Sequence, residues 1–307
     1  MDGFAVTRLA IGAGVLLVAA VSDVRTRRVP DPLWIGLGSL GLIVLAVQLI
    51  QDRIETDAWA LLGSSALLFF AIFYGKPLFE EDGFHAQPFR LVTFLVAAAL
   101  FVYPAAEHSV SGAPMSQVLF ELYSMPAMIL VYQAFYRVRI LHGGADAKAL
   151  IALGLLVPMY PNMSPFPLVA LDPRVETFWR VAFPFSLVVW VDAALLFLAV
   201  PLGLLMLNVV RGDFAFPQAL LGFRARLDSF PSHAWLMEKI DAQGDHVLVL
   251  FPRRGGDPAQ ELARLRSAGL HRAWVTPQIP FMVPLLGGFL LAFLLGNLLL
   301  GLLGRIA

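Results

Sequence analysis

The chain has 307 residues, of which 59% are hydrophobic and only 14% charged, against about a quarter charged in a soluble domain. Its formal net charge is zero, so no bulk attraction to nucleic acid is implied. It has no cysteines, which excludes disulfides, thiolate zinc sites and a cysteine nucleophile.

Apolar runs of about 20 residues recur along the whole chain, long enough to cross a hydrocarbon core. Segments such as 91–102 and 187–200 lack the polar stripe of a soluble amphipathic helix. The first run, 5–22, ends at Ser22-Asp23 ahead of Arg25, Arg27 and Arg28. That charge order suits a retained helix better than a cleaved signal. Further spans are predicted at 33–50, 58–74, 90–106, 116–136, 146–160, 179–209 and 280–303, with Trp34 and Trp59 as interfacial anchors at span edges. The connection 23–32 holds three arginines, 75–89 holds Lys76, 137–145 holds Arg137 and Arg139, and the polar stretch 211–279 holds nine Lys and Arg. The opposite connections hold few, Arg53 and Arg174 among them. Basic connections mark the cytoplasmic side, and an even number of spans then leaves both termini outside.

Within 211–279, residues 246–251 (HVLVLF) and 271–276 (HRAWVT) read as short strands. Residues 257–270 read as a helix capped by Asp257 and stopped by Gly269. The expected fold class is therefore an all-α polytopic membrane protein with about eight transmembrane helices and a small cytosolic α/β module before the last one. The divisions fall at 1–210 for the transmembrane domain, 211–279 for the module and 280–307 for the final helix.

Carboxylates near the membrane carry the chemical information, because burying one is costly. Asp23 closes the first span inside V-S-D-V-R-T-R-R-V-P-D, and Asp146 opens the sixth inside H-G-G-A-D-A-K-A-L. The topology puts both at the cytoplasmic face. Two carboxyl groups in one site hold a single proton between them; the charged member can draw a proton from water while the neutral one donates to a carbonyl. Gly143 and Gly144 permit close approach, and Asp146 meets the positive end of a helix dipole. Arg25, Arg27, Arg28 and Lys148 add positive charge around the pair. A carboxylate beside arginines at a helix end is more often a cap or an ion pair, and the residues by themselves leave an enzyme and a transporter both open. The transporter reading rests on Asp192, in mid-span within V-V-W-V-D-A-A-L-L; the bland alternative there is a packing residue of the bundle.

The two Asp motifs resemble those of the type IV prepilin peptidases, most closely the archaeal preflagellin (archaellin) and prepilin peptidases, which are membrane aspartyl peptidases of the GxGD type. D-V-R-T-R-R-V-P-D from Asp23 and G-G-A-D-A-K-A-L-I-A-L from Gly143 carry the likeness, and W-V-T-P-Q-I-P-F-M-V-P from Trp274 resembles the segment leading into the last archaeal helix. The third residue of the second motif is Ala145 where the family has Gly. The resemblance implies that Asp23 and Asp146 are the catalytic pair of an endopeptidase. Its substrates would be archaellin or type IV pilin-like precursors, which lose a short basic leader at the cytoplasmic face of the cell membrane. Bacterial members also methylate the new N-terminus and hold zinc between cysteine pairs; without cysteines, neither zinc nor any other cofactor is expected here. The archaeal members have fewer spans, which implies an added helical pair within 75–115. Glu80, Glu81 and Asp82 are candidates for holding the basic leader, with a solvated loop as the bland reading, and His142 could tune Asp146. Presenilin-like proteases share the second motif, but Ser22 stands where they have Tyr and their Pro-Ala-Leu tripeptide is missing.

Overall fold

The computed structural model describes residues 2–74, 79–80, 83–84, 87–141, 143–169, 173–241, 243–252 and 258–301. Its described elements run α1 Gly3–Thr26, α2 Asp31–Gln51, α3 Asp57–Phe73, β1 Phe79–Glu80, β2 Gly83–Phe84, α4 Pro88–Ser111, α5 Gln117–Arg137 and α6 Gly144–Leu156. Then come α7 Pro173–Ala182, α8 Phe185–Phe197, α9 Ala199–Arg211, α10 Gln218–Leu221, β3 Phe223–Arg226, β4 Ala234–Leu236, β5 Glu238–Ile240, β6 His246–Leu248, α11 Pro258–Ser267, β7 Arg272–Pro277 and α12 Met282–Leu294. Among the described residues, five helical stretches are long and apolar enough to cross a membrane: α1, α2, α4, α5 and the run Phe185–Arg211 made of α8 and α9. α3 and α12 are shorter apolar helices.

The chain forms two compact units, one of residues 1–194 with 281–307 and the other of residues 195–280. In the first, the helices turn apolar side chains outward as well as inward. Leu40, Ile43, Val47 and Ile50 on α2 and Phe89, Val92 and Leu95 on α4 are all exposed, at the spacing of single helix faces. Such faces suit hydrocarbon and would be a liability in water. The inward faces carry small residues instead. A Cβ on Gly41 of α2 would lie 2.6 Å from the Leu156 backbone of α6, so these two helices meet backbone to backbone, the packing that small residues permit between membrane helices. α6 is the innermost helix, with residues 149–157 all buried. At 13 residues it spans only about 20 Å. Polar side chains tie the bundle across its helices: Ser64 Oγ donates to the Ala97 carbonyl at 2.8 Å, and Tyr132 Oη to Ser186 Oγ at 3.0 Å.

Two expectations about the helices change. The predicted span 179–209 is broken twice: residues 179–182 belong to α7, and α8 and α9 part at Leu198. Proline explains both breaks. Pro184 disfavours helical backbone at Phe183, and the ring of Pro201 would meet the carbonyl of Phe197 four residues back. Among the described residues, 75–115 holds one long helix, α4, rather than a pair.

The second unit is built around an antiparallel sheet in the order β3-β7-β4, with Phe223 opposite Val275 and Leu236 also opposite Val275 from the other side. Ala225, Leu227, Leu236, Leu265, Ala273 and Val275 form its core. A hairpin of β5 and β6 pairs Lys239 with Val247. The sheet region precedes the last helix, as expected. Residues 246–248 and 272–277 form strands and Gly269 adopts a positive φ just after α11, while β3, β4 and β5 were not anticipated. Asp257 lies outside the described residues.

Candidate active site

The turn after α1 is knitted by its own short polar side chains. Arg27 takes the left-handed conformation with φ 54° and its N–H returns to the Asp23 carbonyl at 3.0 Å. Ser22 Oγ and Thr26 Oγ1 both donate to the Arg28 carbonyl, at 2.8 and 3.1 Å. The bond to the Asp23 carbonyl satisfies one that the helix end would otherwise leave open, and the two to Arg28 hold the chain leaving the helix against its last turn. Asp23 Oδ2 accepts from the backbone N–H of Met282, the first residue of α12, at 3.2 Å.

Asp146 is the third residue of α6, whose first turn closes with Asp146 N–H donating to the Gly143 carbonyl at 3.1 Å. The Asp146 carboxylate lies over Gly143, in space that a side chain there would fill. Gly144 faces the ring of Tyr136, with its Oη 3.5 Å from a Cβ built there. Asp146 is half-buried, and the Asp23 carboxylate is close enough to act on it electrostatically. The structure thus brings together, at one end of the first unit, two carboxylates that lie far apart in sequence.

Lys148 makes a specific contact: its Nζ lies 2.7 Å from both carboxylate oxygens of Asp31, the first residue of α2, and 5.4 Å from the Phe73 ring centre. Asp31 is the last residue of the first motif, so the two motifs interlock through this ion pair as well. Arg27 donates through Nη1 to the Asp23 carbonyl at 3.3 Å rather than to its carboxylate. Arg25 and Arg28 are exposed.

Asp192 sits fully buried in α8, and its carboxylate faces the backbone of Leu298. Glu80 lies in β1, whereas Glu81, Asp82 and His142 lie outside the described residues. Among the described residues no group of three or more His, Cys, Asp or Glu side chains is placed to hold a metal ion. Reading the sequence residue by residue missed the roles of Asp31 and Met282. Asp31 stood inside the quoted motif, but nothing in the sequence pairs it with Lys148; Met282 contributes a backbone group that no side chain announces.

Two family descriptions match. Residues 10–84 match the type IV leader peptidase family, and residues 215–298 match the archaeal peptidase A24 C-terminus, type II. A preflagellin peptidase of Methanococcus voltae is 20% identical over 299 residues, covering 95% of this chain and 96% of that protein. A preflagellin peptidase of Methanocaldococcus jannaschii is 26% identical over 164 residues, covering 52% of this chain and 64% of that protein.

Proposed function

Since this chain belongs to the archaeal preflagellin and type IV prepilin peptidase family, we propose that it is a membrane aspartyl endopeptidase. It removes the basic leader of archaellin- or type IV pilin-like precursors at the cytoplasmic face, using Asp23 and Asp146 as its catalytic pair. The observation that carries this reading is that Asp23, at the end of α1, and Asp146, at the start of α6, lie within electrostatic reach of each other. One carboxylate is ionised and takes a proton from water as the oxygen attacks the scissile carbonyl; the other, protonated, donates to the carbonyl oxygen. Collapse of the tetrahedral adduct returns the carbonyl and breaks the C–N bond, and the leaving amine takes up a proton from the pair. Gly143 leaves room for the Asp146 carboxylate, and Lys148, held by Asp31, anchors α6 beside α2.

In this reading the chain crosses the membrane about eight times, with the short helices α3, α6 and α12 completing the bundle and residues 211–279 in the cytoplasm. A leader-bearing substrate lays its apolar helix against the lipid-facing side of the bundle and presents the scissile bond at the polar end. The acidic run 80–82 is the candidate to receive the basic leader. The test is incubation of the purified protein in detergent with a precursor that carries a basic leader before an apolar helix, with N-terminal sequencing of the product. One cut at the leader boundary is expected. An uncut precursor, together with substrate-dependent proton or ion flux in vesicles abolished by Asp192→Asn, would favour the transporter reading.

A further inference from the structure

We infer that α12 is part of the catalytic machinery: the backbone N–H of Met282, at its start, positions the Asp23 carboxylate. This rests on the assignment of Asp23 and Asp146 as the catalytic pair. The bond is direct, from Met282 N to Asp23 Oδ2 at 3.2 Å. First-turn N–H groups have no acceptor within their own helix, and a carboxylate placed there also meets the positive end of the helix dipole.

Packing fixes the register that makes the bond. α1 runs into this end of the bundle and α12 runs out of it. A Cβ on Gly12 would overlap the Phe289 ring, so α1 and α12 are locked together below the site. Phe289 is wholly buried and Met282 is 1% exposed. The charged groups on the elements at this end of the bundle are Arg25, Arg27 and Arg28 on the turn of Asp23 itself, Asp146 and Lys148 on α6, and Asp31 on α2. α12 carries no titratable side chain between Met282 and Leu294, so what it offers Asp23 is backbone. Met282 falls in the stretch that matches the archaeal C-terminal family, while Asp23 falls in the stretch that matches the leader peptidase family. The second matched segment therefore completes a site begun by the first.

Met282 is a positioning residue acting through Asp23, and the test must remove its N–H alone. Met282→Pro does so, because proline is accepted in the first turn of a helix. Phe281 before it is helical, a conformation that a following proline disfavours. A second variant, with the α-hydroxy analogue of methionine placed at position 282 by nonsense suppression, therefore deletes the N–H while keeping the side chain. Met282→Leu keeps the N–H and changes the side chain. Each protein is purified in detergent and assayed on a leader-bearing precursor across pH. Both donor-less variants should lose roughly tenfold or more in kcat with little change in KM. Met282→Leu should stay near wild type, as volume-conserving swaps do. A wild-type kcat in the hydroxy-acid variant would overturn the inference, and so would an equal loss in Met282→Leu. Asp23→Asn separates this failure from failure of the catalytic assignment: if that variant cuts normally the pair itself is misassigned, and if it is inactive while the hydroxy-acid variant is normal only the role of α12 falls.

Discussion

A side chain at position 143 has nowhere to go except the space held by the Asp146 carboxylate. Gly143→Ala should therefore swing that carboxylate away from Asp23 and lower kcat by on the order of tenfold to a hundredfold, the usual effect of misplacing a reacting group. Thermal stability should change little, and steady-state cleavage alongside a melting curve checks both. The Asp31–Lys148 pair makes a milder demand. Its members are 52% and 28% exposed, so screening limits the coupling to about 1 kcal/mol or less. Asp31→Asn and Lys148→Met should each cost modestly, and together no more than the larger of the two, as a double-mutant cycle on melting temperature would read. Much of this site was legible beforehand. Asp23 and Asp146 could be put at one face because basic connections and helix parity agree, and because glycines flank Asp146. The Asp31–Lys148 contact was not legible, since its members are 117 positions apart and each looks like an ordinary surface charge. The Met282 contact is made by main chain and leaves no mark on residue identity.

At the scale of elements, α6 is held by its closest neighbour, α2. Gly41→Ala puts a methyl against the Leu156 backbone, which cannot yield as a flexible side chain would. It should destabilise the purified protein by about 1–3 kcal/mol, whereas Gly36→Ala, with nothing within 4 Å, should leave the melting temperature unchanged or slightly raised. Helix existence was readable from apolar run length, and α1, α2 and α5 fall where the runs do. Helix continuity was less so. Pro184 and Pro201 were visible, but proline is common in membrane helices, so its presence does not by itself say that the ladder of bonds stops. The strands β3, β4 and β5 hold only three or four residues each, too few for a period of two to stand out.

For the molecule as a whole, the account needs the basic connections inside. The chain has no native cysteine, so single introduced cysteines report sidedness directly. An impermeant maleimide on intact cells should label Val110→Cys, at a position 89% exposed, and should label Asp245→Cys only after lysis; the reverse pattern would invert the topology and remove the cytoplasmic assignment of the site. The proposed function rests on the proposed pair, Asp23 and Asp146. Cleavage of a purified leader-bearing precursor should be compared across wild type, Asp23→Asn, Asp146→Asn, the double variant and Asp192→Asn, all shown to be folded in detergent. The account predicts no detectable product from either single variant, no further loss in the double because the pair acts as one unit, and most activity retained in Asp192→Asn. Cleavage by Asp23→Asn or Asp146→Asn at near the wild-type rate, with Asp192→Asn inactive, would contradict it and move the chemistry to the middle of the bundle.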